Sequence, residues 1–422
     1  MHEPRNKRQL RIQCCAPFTS CYLLDVGIQN SIFIHVTYVP YIAAAGELKS
    51  KPTQHSVKEL REVGIQPDFL VCRSEKHIPE RLKSKIALFC SVKPENVIAA
   101  TDSRTIYEVP LVLSSERLDE KVVERLGIKT KKPPNIDGWK KVVQRVTNPK
   151  YEVTIGIVGK YVDLKESYKS LHESLVHAGI ATNAQVKVMY IDSDRIKPTN
   201  LKSSLSGVQG ILVPGGFGVR GAEGKVLAIQ YARENDIPFF GICFGMQMAA
   251  IEFARNICGI KGATSLEFKS GKSKKSKNDK YVINFMEEQK SMTDMGGTMR
   301  LGSYPCTLKK GSKVLSIYKS DLIYERHRHR YEFNSEYESL FEENGMSLSG
   351  VCKDRNLVEI LEIKSHPWFI GVQFHPEFKS QPLKPHPLFH SFVKTTLNLS
   401  EKSKKEALKL KIKKPITSTK KR

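Results

Sequence analysis

Apolar runs alternate with amphipathic stretches through the second half of the chain. Compact runs of branched and aromatic residues at Val153 to Val158, Val186 to Ile191, Gly210 to Val213 and Pro238 to Ile242 read as buried strands. Helical spacing predicts helices near Tyr168 to Ala178 and Gly224 to Glu234, and a third from Phe244 onward. Strand and helix in alternation predict a parallel sheet with helices on both faces. In such a sheet the site lies at the carboxyl ends of the strands.

The pattern breaks between residues 129 and 150. Lys129, Lys131, Lys132, Pro133, Pro134 and Asn135 lead a polar, proline-containing stretch that reads as an interdomain linker. A chain of 422 residues, 40% hydrophobic and 27% charged, can bury a core on each side of it. The expected fold class is α/β in two domains, with the alternation giving the second domain its mostly parallel sheet flanked by helices. The expected boundaries are an opening segment 1–28, a first domain 29–128, the linker 129–150, a second domain 151–398 and a basic tail 399–422.

Charge changes this picture little. The net charge is +24, but residues 401–422 supply +8 and residues 269–280 supply +5. Both stretches are rich in Lys and Ser and lack aromatic residues for base stacking, so they read as a solvated tail and a solvated loop rather than a nucleic-acid site. No apolar run reaches about 18 residues, so no membrane span is expected. Arg5, Lys7, Arg8 and Arg11 precede a mildly apolar stretch in the manner of a leader, but Gln13, Asp25 and Gln29 interrupt it. Nine cysteines without a close CxxC pair suggest reduced thiols, no zinc site and a cytoplasmic location.

Candidate chemistry appears at a strand end. Gly241-Ile242-Cys243-Phe244-Gly245-Met246-Gln247 places a thiol between glycines where a buried strand meets a helix, which suits a sharp nucleophile elbow. The amino end of the helix favours thiolate. The segment Gly371-Val372-Gln373-Phe374-His375-Pro376-Glu377 follows far downstream. Read as extended chain, it puts His375 and Glu377 on one side, with the carboxylate able to fix the imidazole tautomer and stabilise the imidazolium. Cys243 as nucleophile, His375 as base and Glu377 as the orienting carboxylate describe a class I glutamine amidotransferase. Residues Gly216 to Gly221 also spell GxGxxG, a dinucleotide fingerprint, but the strand that should end in a ribose-binding acid runs instead into Gly241 and Cys243. The loop better serves an oxyanion hole, with the amides of Gly216 and Phe244 as donors.

With these motifs the chain resembles the CTP synthase family, glutamine-dependent ligases that aminate UTP, from about residue 29 to 398. PGGFGVRG at 214–221, GICFGMQ at 241–247, MGGTMRLG at 295–302, RHRHRYE at 326–332 and GVQFHPEF at 371–378 carry the resemblance. It implies that Gly216, Phe244, Gly245, Met246, Gln247, Glu267 and Arg330 bind glutamine, with Glu267 at the amino group of the substrate and Arg330 at the carboxylate of the substrate. Phe244, often Leu in the family, and Ala263 to Glu267, where Asn-Ser-Thr-Glu is more usual, depart from the pattern. In the first domain, YIAAAGELKSKPTQHS at 41–56 is similar to the family's pyrimidine-nucleotide loop, with two lysines ahead of a helix that Ser56 and Glu59 could cap. The resemblance implies UTP or CTP contacts at Lys49, Ser50, Lys51, Pro52, Thr53, Gln54 and Lys85, and ATP contacts at Thr101, Asp102 and Ser103.

The family's synthetase domain is P-loop-like and uses ATP and magnesium, yet no GxxxxGK[ST] occurs in this chain and residues 1–28 match no family segment. The expectation is a partial synthetase domain whose ATP phosphate and magnesium ligands are missing, with no metal-binding residues and only the glutaminase half-reaction fully equipped. The chain is then either a piece of a longer protein or a truncated, non-ligating paralogue that acts as a glutaminase or as the nucleotide-binding partner of an intact synthase. The family also implies GTP as an allosteric effector and tetramers, sometimes filaments.

Overall fold

Each of three short strands of the amino-terminal part carries two branched aliphatic residues: β1 (Ile34–Tyr38), β4 (Phe69–Ser74) and β5 (Val97–Thr101). They pair in parallel in the order β1-β4-β5, with Val36 opposite Val71 and Val71 opposite Ile98. A small hairpin of β2 (Tyr41–Ile42) and β3 (Glu47–Leu48) follows β1. Parallel neighbours require crossovers, and helices α1 (Lys51–Glu62) and α2 (Glu80–Cys90) supply them. Val57, Leu70, Ile86 and Val97 meet in the core. The structure is a computed structural model that describes residues 25–130, 132, 134–160, 165–269, 280–285 and 299–412.

Helix α1 starts earlier than expected. Ser50 is its N-cap residue and Pro52 lies in its first turn, where a missing N–H costs nothing. Ser56 sits inside the helix, hydrogen-bonded to Nε2 of His35 at 2.8 Å, and caps nothing. Helices α3 (Val109–Ser115), α4 (Leu118–Arg125) and α5 (Asp137–Thr147) complete this part. The chain divides into two compact units, residues 1–143 and 144–422, so that the boundary falls within α5.

The second unit opens with the alternation read from the sequence: β6 (Tyr151–Gly159), α6 (Lys169–Thr182), β7 (Ala184–Asp192), β8 (Gly210–Val213), α7 (Ala222–Glu234), β9 (Phe239–Ile242) and α8 (Phe244–Asn256). Beyond α8 come β10 (Ala263–Ser265), β11 (Lys280–Phe285), β12 (Arg300–Leu308), β13 (Leu322–His329), β14 (Tyr331–Phe333), β15 (Met346–Cys352), β16 (Leu357–Ile363), β17 (Phe369–Val372) and α9 (Pro387–Ile412). The main sheet has the order β13-β12-β15-β16-β17-β9-β8-β6-β7. From β7 to β17 its strands run parallel, and from β17 to β13 neighbours are antiparallel. The fold is α/β as expected, with an antiparallel wing that the alternation did not foretell.

Successive strand residues serve opposite faces, as the two-residue period requires. Ile211, Val213 and Phe239 pack on the α7 and α8 side with Val226, Ile229 and Phe253. Leu212 and Phe240 pack on the other with Leu175, Phe389 and Phe392. No helix among the described residues is long and apolar enough to cross a membrane. The opening 24 residues, the Lys-rich stretch 270–279, residues 295–298 of the MGGTMRLG motif and the tail from 413 lie outside the described residues.

Candidate active site

Strand β9 ends at Ile242, and the next residue is the thiol. Cys243 adopts φ 51° and ψ −104°, a region that side chains other than glycine rarely occupy, and it is the N-cap of α8. Its N–H donates to Val372 O at 2.7 Å, and its carbonyl accepts from the amides of Met246 and Gln247. The flanking glycines were expected to make the turn, but neither has positive φ. They permit close approach instead. A Cβ on Gly245 would stand 2.1 Å from Val213 O, and one on Gly241 would stand 2.8 Å from the Gly245 carbonyl. The turn strain rests on Cys243 itself.

The candidate base comes from the neighbouring strand, since β17 pairs in parallel with β9 and sets Val372 beside Ile242. The segment was expected to stay extended through Glu377. It leaves the sheet after Val372, and Pro376 opens a short 3₁₀ turn, Pro376–Lys379, that swings Glu377 back to its neighbour. His375 Nδ1 and Glu377 Oε1 are 2.7 Å apart, and His375 N donates to Arg326 O at 2.7 Å. Burial pushes the His375 imidazole toward its neutral form. The charge and hydrogen bond of Cys243, joined by those of Glu377, outweigh it and raise the pKa to about 11. These neighbours favour the charged form of the ring.

The glycine-rich loop closes over this pair. A Cβ on Gly215 would lie 2.9 Å from Cε1 of His375 and 3.6 Å from Cβ of Cys243, and one on Gly216 would lie 4.0 Å from the Phe244 ring. Gly218 N donates to Glu267 Oε1 at 2.7 Å. Burial raises the Glu267 pKa, opposed by this bond and by the charges of Lys160, Arg330 and Lys225. Glu267 and Arg330 therefore share one electrostatic environment beside the loop. Gln247 and Met246 are buried in the first turn of α8.

Two lysines in this neighbourhood escaped the sequence reading. Lys225 is 1% exposed, and its Nζ lies 4.9 Å from the Phe244 ring centre. Burial, helped by the charge of Lys160, lowers its pKa to about 7. Lys160 Nζ lies 5.9 Å from the same ring and bonds the Phe217 carbonyl. The available signal was a lysine inside the apolar stripe of α7, between Ala222 and Val226. Gln373, which is fully buried two residues before His375, was also overlooked.

In the first unit, Lys49, Ser50, Lys51, Pro52, Thr53 and Gln54 sit at the amino end of α1. Lys49 pairs with Glu47, whose carboxyl is held low by that bond and charge, with a smaller contribution from Lys85 on α2. Ser50 Oγ accepts from Gln54 Nε2 at 3.1 Å. Thr53 is buried, its hydroxyl donating to Tyr38 O at 3.0 Å. Thr101, Asp102 and Ser103 lie at the carboxyl end of β5, where Arg73 Nε donates to Asp102 Oδ1 at 3.0 Å. Among the described residues no group of three or more His, Cys, Asp or Glu is placed to hold a metal ion.

Comparison with known proteins matches residues 163–395 to the class-I glutamine amidotransferase family and residues 18–128 to the CTP synthase N-terminus family. The CTP synthase of Bdellovibrio bacteriovorus is 64% identical over 374 residues, covering 89% of this chain and 69% of that protein. That of Pelobacter propionicus is 57% identical over 377 residues, with the same shares covered. Among solved structures, the glutaminase domain of Trypanosoma brucei CTPS with bound acivicin superposes with a TM-score of 0.53 at 37% identity, covering 58% of this chain and 93% of that one.

Proposed function

The chain belongs to the CTP synthase family, and from that premise we propose that its second unit hydrolyses glutamine at Cys243 to supply ammonia for the amination of UTP. The observation that carries this reading is the Cys243 elbow set beside a histidine that Glu377 holds at 2.7 Å. The thiolate adds to the side-chain carboxamide carbon of glutamine. The amides of Gly216 and Phe244 receive the developing oxyanion. Imidazolium His375 gives its proton to the departing nitrogen, so that ammonia leaves and a glutamyl thioester remains. Neutral His375 then takes a proton from water, which attacks the thioester and releases glutamate and thiolate. Glu377 keeps the imidazole in the tautomer that serves both steps. Arg330 and Glu267 fit the two charged groups of the substrate backbone. Cys243→Ala is expected to abolish glutamate release without loss of fold, and turnover by the folded variant would remove Cys243 from this role.

Lys49 and Lys51, beside the amino end of α1, suit the triphosphate of UTP or CTP, and Lys85 adds a third positive charge. Thr101, Asp102 and Ser103 are assigned to ATP, at the strand ends where such sheets bind ligands. In the family's reaction, phosphoryl transfer from ATP activates the UTP oxygen for attack by ammonia. These 422 residues contain no GxxxxGK[ST] loop, so the chain by itself is expected to release glutamate without making CTP. Ammonium, UTP, ATP and magnesium test this directly. Steady CTP formation would show that the segment before residue 29 supplies the phosphate site.

A further inference from the structure

A carboxamide buried in an apolar strand is costly unless every polar atom has a partner. Gln373 is 0% exposed, one residue beyond β17, where its backbone N–H donates to Glu359 O at 2.8 Å. Its Nε2 lies 3.7 Å from Cys243 Sγ. Nitrogen and oxygen of a carboxamide look alike, so the neighbours must decide which faces the sulfur. Gln247 Nε2 donates to the Tyr331 carbonyl at 2.9 Å and to Gln373 Oε1 at 3.2 Å. A backbone carbonyl only accepts, which fixes the nitrogen of Gln247, and that nitrogen in turn fixes the oxygen of Gln373. Only N–H remains to point at the sulfur. Across from it the Arg328 carbonyl, 4.0 Å from Sγ, presents an acceptor that disfavours negative charge there.

We propose that Gln373 is a further catalytic residue of the glutaminase half-reaction, its carboxamide N–H donating to Cys243 Sγ and stabilising the attacking thiolate, with Gln247 and the Tyr331 carbonyl holding that orientation. The inference rests on the glutaminase reading above. A donor to an ionised acceptor is the strong kind of hydrogen bond. Its loss lowers the thiolate population and loosens the sulfur without touching the groups assigned to the substrate's charged ends.

The test uses the full chain and two substitutions, Gln373→Leu, which removes the donor, and Gln373→Glu, which keeps the shape but turns an acceptor toward the sulfur. In variants whose circular dichroism matches wild type, kcat for glutamine hydrolysis is expected to fall about 10- to 100-fold with KM nearly constant, the range of one charge-assisted hydrogen bond. Alkylation of Cys243 by iodoacetamide, followed by peptide mapping, is expected to slow about tenfold at pH 7 and to recover toward wild type at pH 9.5, because the lost interaction is with the thiolate. A purely structural role would slow both pH values alike. Gln373→Glu should be slower than Gln373→Leu, and it decides the matter if the leucine variant does not fold. Wild-type alkylation and kcat in either folded variant would overturn the assignment. If wild type itself releases no glutamate, the glutaminase reading fails, while the alkylation rates still decide whether Gln373 supports the thiolate.

Discussion

At Gly215 a single missing methyl keeps the candidate base in place, because an added Cβ would press on Cε1 of His375 at 2.9 Å. Gly215→Ala should displace the imidazole by a few tenths of an ångström and lower kcat by about tenfold or more, since small misplacements are costly in catalysis. The thermal midpoint should hardly move, and activity that falls only in step with stability would show that the contact is structural. His375→Ala should cost about 10² to 10⁴ in kcat, the usual weight of general base catalysis, and an unchanged rate of glutamate release would point to another base. The grouping of Cys243, His375 and Glu377 was legible because each stands in a short, specific motif. Gln373 and Lys225 were not, since a polar residue within an apolar run reads equally as an edge, a loop or a buried partner. Only the three-dimensional neighbours, the sulfur for one and the Phe244 ring for the other, distinguish these.

Strand β13 shows why half of the main sheet was invisible to hydrophobic periodicity. Its burial alternates strictly, yet the buried positions are Ile323, Glu325, His327 and His329. The period is that of a strand, but the residues are polar. They are only partly satisfied by one another: His327 Nδ1 and His329 Nε2 are 2.9 Å apart, and Arg300 on β12 reaches Glu359 on β16 at 2.6 Å and Glu332 on β14 at 3.4 Å, while Nε2 of His327 and Nε and Nη2 of Arg300 find no hydrogen-bond partner among the described residues. Burial, with the charge of Arg300 and a smaller effect of His375, lowers His327 to about 2 and His329 to about 3. Burial also raises Glu359 to about 7 and Glu332 well above the carboxylate range, against the pull of Arg300. The signs then differ by window. Below their ordinary value of 6.5 the histidines take up protons on unfolding, which destabilises the fold as pH falls. Above the ordinary 4.5 of a carboxylate the two glutamates lose protons on unfolding, which acts in the opposite sense. Between those values the effects offset each other. Below pH 4.5 only the histidines remain, and stability should fall by about 1.4 kcal/mol per pH unit for each. Urea unfolding at pH 4.5 and 3.5 should therefore show a shallower loss in the double variant His327→Gln, His329→Gln than in wild type. Equal slopes would mean that these histidines are protonated in the folded chain.

For the molecule as a whole, the two units invite separate measurements. Two lysines beside the amino end of α1 oppose the helix dipole, a placement that a bound polyanion would relieve. UTP is accordingly expected to slow amide hydrogen exchange at residues 49–54, whereas uridine at equal concentration should not, and equal protection by both would remove the phosphates from the argument. A ligand at 100 times its Kd adds about 2.7 kcal/mol to the part that binds it, so the effect should be plain in the first unit. The α/β fold of the first unit rested on the family resemblance, while that of the second was readable from alternation. The start of α1 and the helix within residues 129–150 were not, because capping serines and prolines are compatible with several boundaries. The site itself has an uneven tolerance for copying errors. Cys243 and His375 are 132 residues apart in sequence, yet the Cys243 N–H to Val372 O bond makes them next-door neighbours. Lengthening a turn on the intervening path, at Gly345 or Asn356, leaves that spacing alone. Dropping one residue between Val372 and His375 would shift the register and turn the imidazole away from the sulfur. Descendants of this chain are free to grow or trim their outer turns, while the three-residue step from Val372 to His375 must be inherited at fixed length.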